Sequence, residues 1–288
     1  MRRGCVVMNI GYKTVVFFRE ILRGMTMGKA SHVQSKTLKI DGRYVHYFTA
    51  GQGEPLVVVH GGAADARSWL KNIEVLAERY TVYAPDLPGF GRSQPLEGDY
   101  YIPEMAEFVG KFADKLGLEH YYLVGHSVGG GIALNCALKY PQKIKKLVLI
   151  SSLCLGKEIA LWVRMVTLPA RATWAMLMAI FRVIRWLASK IIIPMELVLP
   201  RFPITVSLGR NISNLREQTL VLAHRLSELV MPTLVVWGAR DEIVPVRHAY
   251  AAERAIPQCQ LRVFKNCGHN VHRDEIEEFS RLLTGFLG

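Results

Sequence analysis

The chain has 288 residues, half of them hydrophobic and 21% charged, with a net charge of +12. That balance excludes a disordered or fibrous chain and leaves one large domain, or one domain carrying an insertion. The charge is uneven: residues 1–35 hold six Lys/Arg against one Glu, residues 153–228 hold ten against four, and the remainder is nearly neutral. No nucleic-acid motif accompanies either block and bulky apolar residues interleave both. An anionic lipid surface, an amphipathic ligand or a solvated basic face is therefore expected, not a nucleic acid.

In chain order, the first 27 residues place arginines before apolar residues as a signal peptide would. Lys13 interrupts the apolar part, however, and no small-residue cleavage site follows. This basic extension, residues 1–35, reads either as an amphipathic anchor or as sequence upstream of a true start at Met25 or Met27. TLKIDGRYVHYFTA sets Asp41-Gly42 between two alternating runs and predicts a hairpin. PLVVVHGG is a continuous apolar run of the kind a buried parallel strand needs. A helix (ARSWLKNIEVLAERY), a strand (YTVYAPD), a helix (IPEMAEFVGKFADKLGL), a strand (YYLVGHS), a helix stopped by Pro141 and a strand (KIKKLVLISS) follow. After residue 229 the alternation resumes with MPTLVVWGARD, VRHAYAAERAIP, QLRVFKN and DEIEEFSRLLTGFL. Such alternation predicts an α/β fold, a mostly parallel sheet with helices on both faces. Residues 36–152 and 229–288 would form this core, and residues 153–228, Met- and Trp-rich with no convincing strand, an inserted helical unit.

Within that insertion, ATWAMLMAIFRVIRWLASKIII (residues 172–193) is long enough to span a membrane. Its nine strong hydrophobes contribute roughly 3–5 kcal/mol toward insertion, whereas Arg182 and Arg185 at its centre cost about 5–7 kcal/mol. Insertion is disfavoured. On a helix the arginines share one stripe with Arg171, Met178 and Ser189, opposite Leu177, Ile180, Ile184 and Leu187, which predicts an amphipathic helix. The five cysteines (Cys5, Cys136, Cys154, Cys259, Cys267) are scattered without metal-ligand spacing. They read as free thiols in a reducing compartment, which points to the cytoplasm, with peripheral membrane contact through a basic segment.

The chemistry gathers at GHSVGG, Gly125 to Gly130, between a predicted strand and a predicted helix. A serine on so sharp a turn needs small neighbours, and the turn aims Ser127 and the helix amide groups at one point. A serine needs a base, and His269 follows the strand QLRVF directly, with Gly268 permitting a tight turn. His272 is a competitor expected to begin the last helix. His126 adjoins the serine, but strand alternation turns its side chain the other way. The base needs an orienting carboxylate, and Asp241 ends the strand LVVWGAR where open sheets place their sites; neighbouring Glu242 is expected to face solvent. HGG, His60 to Gly62, follows LVVV and offers the Gly62 N–H as one oxyanion donor, with the Val128 N–H as the other.

VVVHGG at 57–62, DLPGFGRS at 86–93, GHSVGG at 125–130, WGARDEIVP at 237–245 and the CGH ending at His269 together resemble the α/β-hydrolase superfamily, over residues 38–152 and 229–287. The resemblance implies an eight-stranded sheet, a helical cap after strand six and the roles given above to Ser127, Asp241, His269, Gly62 and Val128. The general pattern is similar to the esterase, monoacylglycerol-lipase-like and carbon–carbon hydrolase branches. Carbon–carbon hydrolases commonly carry Trp after the catalytic histidine, where this chain has Asn270, and Ile276 stands near the place of a usual proline. The expected activity is that of a serine hydrolase on small carboxylic esters with apolar acyl groups, without cofactor or metal. Hydrolysis of meta-cleavage-type diketones is the enzymatic alternative, and a non-catalytic membrane-associated binding protein the alternative from another class.

Overall fold

The computed structural model of the protein describes residues 33–167, 201–214 and 216–288. The expectations for the basic extension up to residue 32 and for the helix over residues 172–193 fall outside these. Strands β1 (Gln34–Ile40) and β2 (Arg43–Ala50) form the predicted hairpin, with Asp41 and Gly42 at φ 49° and 81°. A two-residue loop between right-twisted strands requires two left-handed residues, and Asp-Gly tolerates that conformation.

The alternation continues as β3 (Glu54–Val59), α1 (Leu70–Leu76), β4 (Tyr80–Pro85), α2 (Ile102–Lys115), β5 (Tyr121–His126), α3 (Val128–Lys139) and β6 (Ile144–Ile150). It resumes as β7 (Thr233–Gly238), α6 (Arg247–Ala255), β8 (Cys259–Phe264), α7 (Val271–Asp274) and α8 (Ile276–Leu287). The eight strands form one sheet in the order β1-β2-β4-β3-β5-β6-β7-β8; β1 and β2 run antiparallel to their neighbours and the rest are parallel. From β3 the chain steps to β4 on one side and then crosses to β5 on the other. The carboxyl ends of β3 and β5 therefore flank a topological switch point, where such sheets open a crevice.

The apolar runs are buried on both faces. Val57 and Val59 join Leu123, Leu147, Leu149 and Trp237 in one core layer under α2, α3 and α6. Leu56 and Val58 join Val124, Val148, Ile150 and Val236 in the other, under α1 and α8. At ~1.5–3 kcal/mol per fully buried large apolar side chain, this double layer is the main source of stability. Helix α2 stops at Lys115: Gly117 takes φ 69° and the Leu118 N–H reaches back to the Ala113 carbonyl at 3.0 Å, closing the last turn.

Two helix boundaries differ from expectation. The predicted helix over residues 66–80 is a 3-10 turn (Ala66–Trp69) followed by α1, because the Asp65 side chain caps the Arg67 N–H and tightens the first turn. The closing helix is broken at Glu275 (φ −126°, ψ 57°), which separates α7 from α8. Between β6 and β7, helices α4 (Leu161–Thr167) and α5 (Arg201–Ile212) contribute no strand to the sheet. Helix α5 rests on the loop after β4, where the Ser207 hydroxyl donates to Asp99 at 2.8 Å and the side-chain amide of Asn211 donates to the Tyr100 carbonyl. Among the described residues no helix is long and apolar enough to cross a membrane.

Candidate active site

Strand β5 runs buried up to His126, and α3 begins at Val128. Ser127, between them, is held at φ 55°, ψ −116°, a left-handed backbone that a side chain rarely adopts and that marks a strained turn. Its N–H donates to the Ile150 carbonyl at 2.9 Å, and its own carbonyl accepts from the Leu153 and Gly131 amides. The neighbouring glycines are obligatory. A Cβ at Gly125 would lie 2.2 Å from the Gly129 carbonyl oxygen, and one at Gly129 would lie 2.4 Å from the His60 carbonyl oxygen.

The His60–Gly62 segment follows β3, whose Val59 pairs in register with Gly125. A Cβ on Gly62 would stand 2.8 Å from Val128 Cγ2, so the Gly62 backbone lies directly against the residue after the serine. His60 fixes this loop from within. Its Nε2 accepts from the Leu87 N–H at 3.0 Å, which makes Nδ1 the protonated nitrogen, and Nδ1 donates to the Gly61 carbonyl at 2.8 Å.

On the other flank, β7 and β8 end side by side, with Gly238 paired to Phe264. The loops beyond them bring Asp241 and His269 together. His269 Nδ1 donates to Asp241 Oδ2 at 2.8 Å, while Asp241 Oδ1 accepts from the Ile243 and Val244 amides, both at 2.9 Å. The Asp241 side chain is fully buried and that of His269 is one-tenth exposed. Burial alone would raise the Asp241 pKa; the charge on His269 and these hydrogen bonds outweigh it and hold the carboxyl below its ordinary value. An ionised Asp241 bound to Nδ1–H leaves His269 Nε2 as a proton acceptor. Glu242 is exposed, as expected of the neighbouring carboxylate.

Two further histidines complete the surroundings. The His126 ring is buried, its Nδ1 3.0 Å from where a Cβ on Gly61 would stand, and its Nε2–H donates to the main-chain carbonyl of His269 at 2.9 Å. Burial, reinforced by the charge on His269, pushes the His126 pKa down to about 3, so the ring is neutral at pH 7. His272, in α7, lies fully buried between Trp69 and His126, with ring centroids 4.4 Å from each. Burial, then His126, drives its pKa well down, and neither ring nitrogen has a hydrogen-bond partner among the described residues. The ring packs between its two neighbours. The bridge from His126 to the His269 backbone was not visible in the sequence. Strand alternation says only that the two adjacent side chains diverge, not what the ring meets.

A family model for the alpha/beta hydrolase fold matches residues 54–173 and 202–275. The chain is 32% identical over 256 residues to the dihydrolipoyllysine-residue acetyltransferase component of the acetoin cleaving system of Cupriavidus necator, covering 86% of this chain and 68% of that protein. It is 31% identical over 267 residues to the 2-hydroxy-6-oxo-6-phenylhexa-2,4-dienoate hydrolase of Burkholderia cepacia, covering 84% and 91%. Among solved structures, a thermophilic esterase from Thermogutta terrifontis superposes with a TM-score of 0.68 at 25% identity, covering 88% of this chain and 98% of that one. With the sheet order, the serine turn and the family match in agreement, the chain belongs to the alpha/beta hydrolase fold family.

Proposed function

We propose that the protein is a serine hydrolase that cleaves carboxylic esters with apolar acyl groups. The observation that carries this reading is the Asp241–His269 pair at 2.8 Å, on the same sheet edge as a serine held at φ 55°. Ser127 Oγ attacks the ester carbonyl and His269 Nε2 takes its proton. The amides of Gly62 and Val128 receive the negative charge that develops on the carbonyl oxygen. The protonated imidazole, stabilised by Asp241, then passes the proton to the departing alcohol. Water, activated by the same nitrogen, releases the acyl group. An apolar acyl chain suits the segment between β6 and β7, which supplies Leu155, Ile159, Leu208 and Ile212 to the core layer that also holds Val128.

Replacement of Ser127 by Ala should lower turnover of p-nitrophenyl butyrate at least about 10³-fold with folding retained. Full turnover by the variant would sink the mechanism. A second reading, hydrolysis of a carbon–carbon bond with the same three side chains, is favoured by the relatives that act on 2-hydroxy-6-oxo-dienoates at 31–32% identity. A comparison of kcat/KM on aryl esters and on a meta-cleavage dienoate separates the two readings.

A further inference from the structure

A second serine–histidine–aspartate relay lies on the antiparallel margin of the sheet. His46 on β2 has Nε2 2.8 Å from Ser35 Oγ and Nδ1 2.8 Å from Asp86 Oδ2. Asp86 also accepts from the Ala66 N–H at Oδ1 and the Arg92 N–H at Oδ2, both at 2.8 Å. The carboxylate is thus a pure acceptor, Nδ1 is the donor to it, and Nε2 is left to accept the Ser35 hydroxyl proton.

The relay is rigidly held at its inner end. The His46 N–H donates to Ser93 Oγ at 3.0 Å, Ser93 Oγ donates to the Asp86 carbonyl at 2.8 Å, and the Asp86 N–H donates to the His46 carbonyl at 2.9 Å. The turn at Gly91 (φ 52°) wraps the carboxylate so closely that a Cβ there would fall 1.9 Å from Asp86 Oδ2. At its outer end the relay is open. The His46 and Asp86 side chains are 4% and 3% exposed, whereas Ser35 is exposed on the edge strand β1. The register pairs Ser35 with Phe48 and Thr37 with His46, which puts Ser35 and His46 on one face, one step apart. The Arg92 guanidinium donates to Ser35 Oγ at 3.3 Å and brings a positive charge to the hydroxyl.

A buried aspartate orienting a histidine whose free nitrogen accepts from an exposed hydroxyl is the arrangement that activates a serine. We propose that Ser35 is a second nucleophilic serine, accepting acyl or phosphonyl groups from activated donors independently of Ser127. Oγ forms a bond to the electrophilic carbon or phosphorus, and its proton moves to His46 Nε2. The leaving group departs with the electron pair of its broken bond, and the imidazolium releases the proton to that anion or to water. Arg92 is one exposed side-chain donor in place of a pair of fixed backbone amides, so the reaction should run at least about 10³-fold slower than at Ser127.

The test uses the full chain carrying Ser127→Ala, with folding checked by thermal melting, exposed to a fluorophosphonate probe and mapped by peptide mass spectrometry. With Ser127 absent, the result is independent of the ester-hydrolase reading. The phosphonyl adduct is expected at Ser35, forming at least about tenfold faster than at Ser227, another exposed serine of the same chain. Adding His46→Gln should remove that advantage, and Ser35→Ala in the otherwise native protein should leave ester turnover unchanged. Labelling of Ser35 no faster than of Ser227 overturns the proposal even if the His46 variant fails to fold. Equal labelling in a folded His46→Gln protein does the same.

Discussion

At the scale of single residues, the candidate site depends on groups that would not touch substrate. His126 joins the serine turn to the histidine loop: its ring sits against Gly61, and its Nε2–H holds the carbonyl of His269 at 2.9 Å. In the proposed mechanism His126 is a positioning residue, since it acts on the backbone that aims the His269 imidazole. Replacement by Phe keeps a ring in the stack but leaves the His269 carbonyl unpaired, which costs about 1–3 kcal/mol of stability. A shift of the imidazole of around 1 Å costs on the order of 10²-fold in rate. The expected outcome for His126→Phe is a lower kcat on aryl esters with little change in KM. An unchanged kcat with only a lower Tm would reduce the contact to a structural one.

At the scale of elements, close approach decides which glycines matter. Gly129 lets the start of α3 press against the end of β3, where a Cβ would stand 2.4 Å from backbone oxygen. Gly285, inside α8, has nothing within 4 Å of the same position. Gly129→Ala should therefore destabilise by about 1–3 kcal/mol, since backbone must move. Gly285→Ala should stabilise by about 0.5–1 kcal/mol through helix propensity alone. Thermal melts of the two variants should shift in opposite directions, and a shift of the same sign would refute this account of the serine turn.

What could be read from sequence follows the same division. The Asp41-Gly42 hairpin, the buried strands and the serine turn are local, written in neighbouring residues whose backbone demands are known. The Asp241–His269 loops could be placed because each follows directly on a strand end. The relay of Ser35, His46 and Asp86 could not, because strand pairing and a wrapped turn bring together residues with no local pattern in common. The stack of Trp69, His272 and His126 escaped for the same reason, since packing of α7 against the 3-10 turn before α1 creates it. The break at Glu275 that sets α7 apart left no mark in the apolar periodicity of α8.

At the scale of the whole molecule, the buried imidazoles make the fold sensitive to acid. His126 is pushed from the ordinary 6.5 to about 3 by burial and by the charge on His269. His272 is depressed by burial and by His126, and His248 by burial against its pairing with Glu158. Between pH 6.5 and 3 the unfolded chain takes up protons that the folded chain refuses, so stability falls as pH falls through this window. Asp241 also has a lowered pKa, but its contribution persists above the ordinary carboxylate range and is lost only as pH drops through its depressed value. The first losses on acidification therefore belong to the histidines. For His126 alone, 1.5 pH units below the ordinary value amount to about 2 kcal/mol at pH 5, which in a protein of this size lowers Tm by roughly 4–8 °C. Melting curves at pH 5, 6, 7 and 8 should show that decline in the native protein and a shallower one in His126→Phe, which has no imidazole to protonate at that position. An equally steep decline in the variant would assign the acid sensitivity elsewhere.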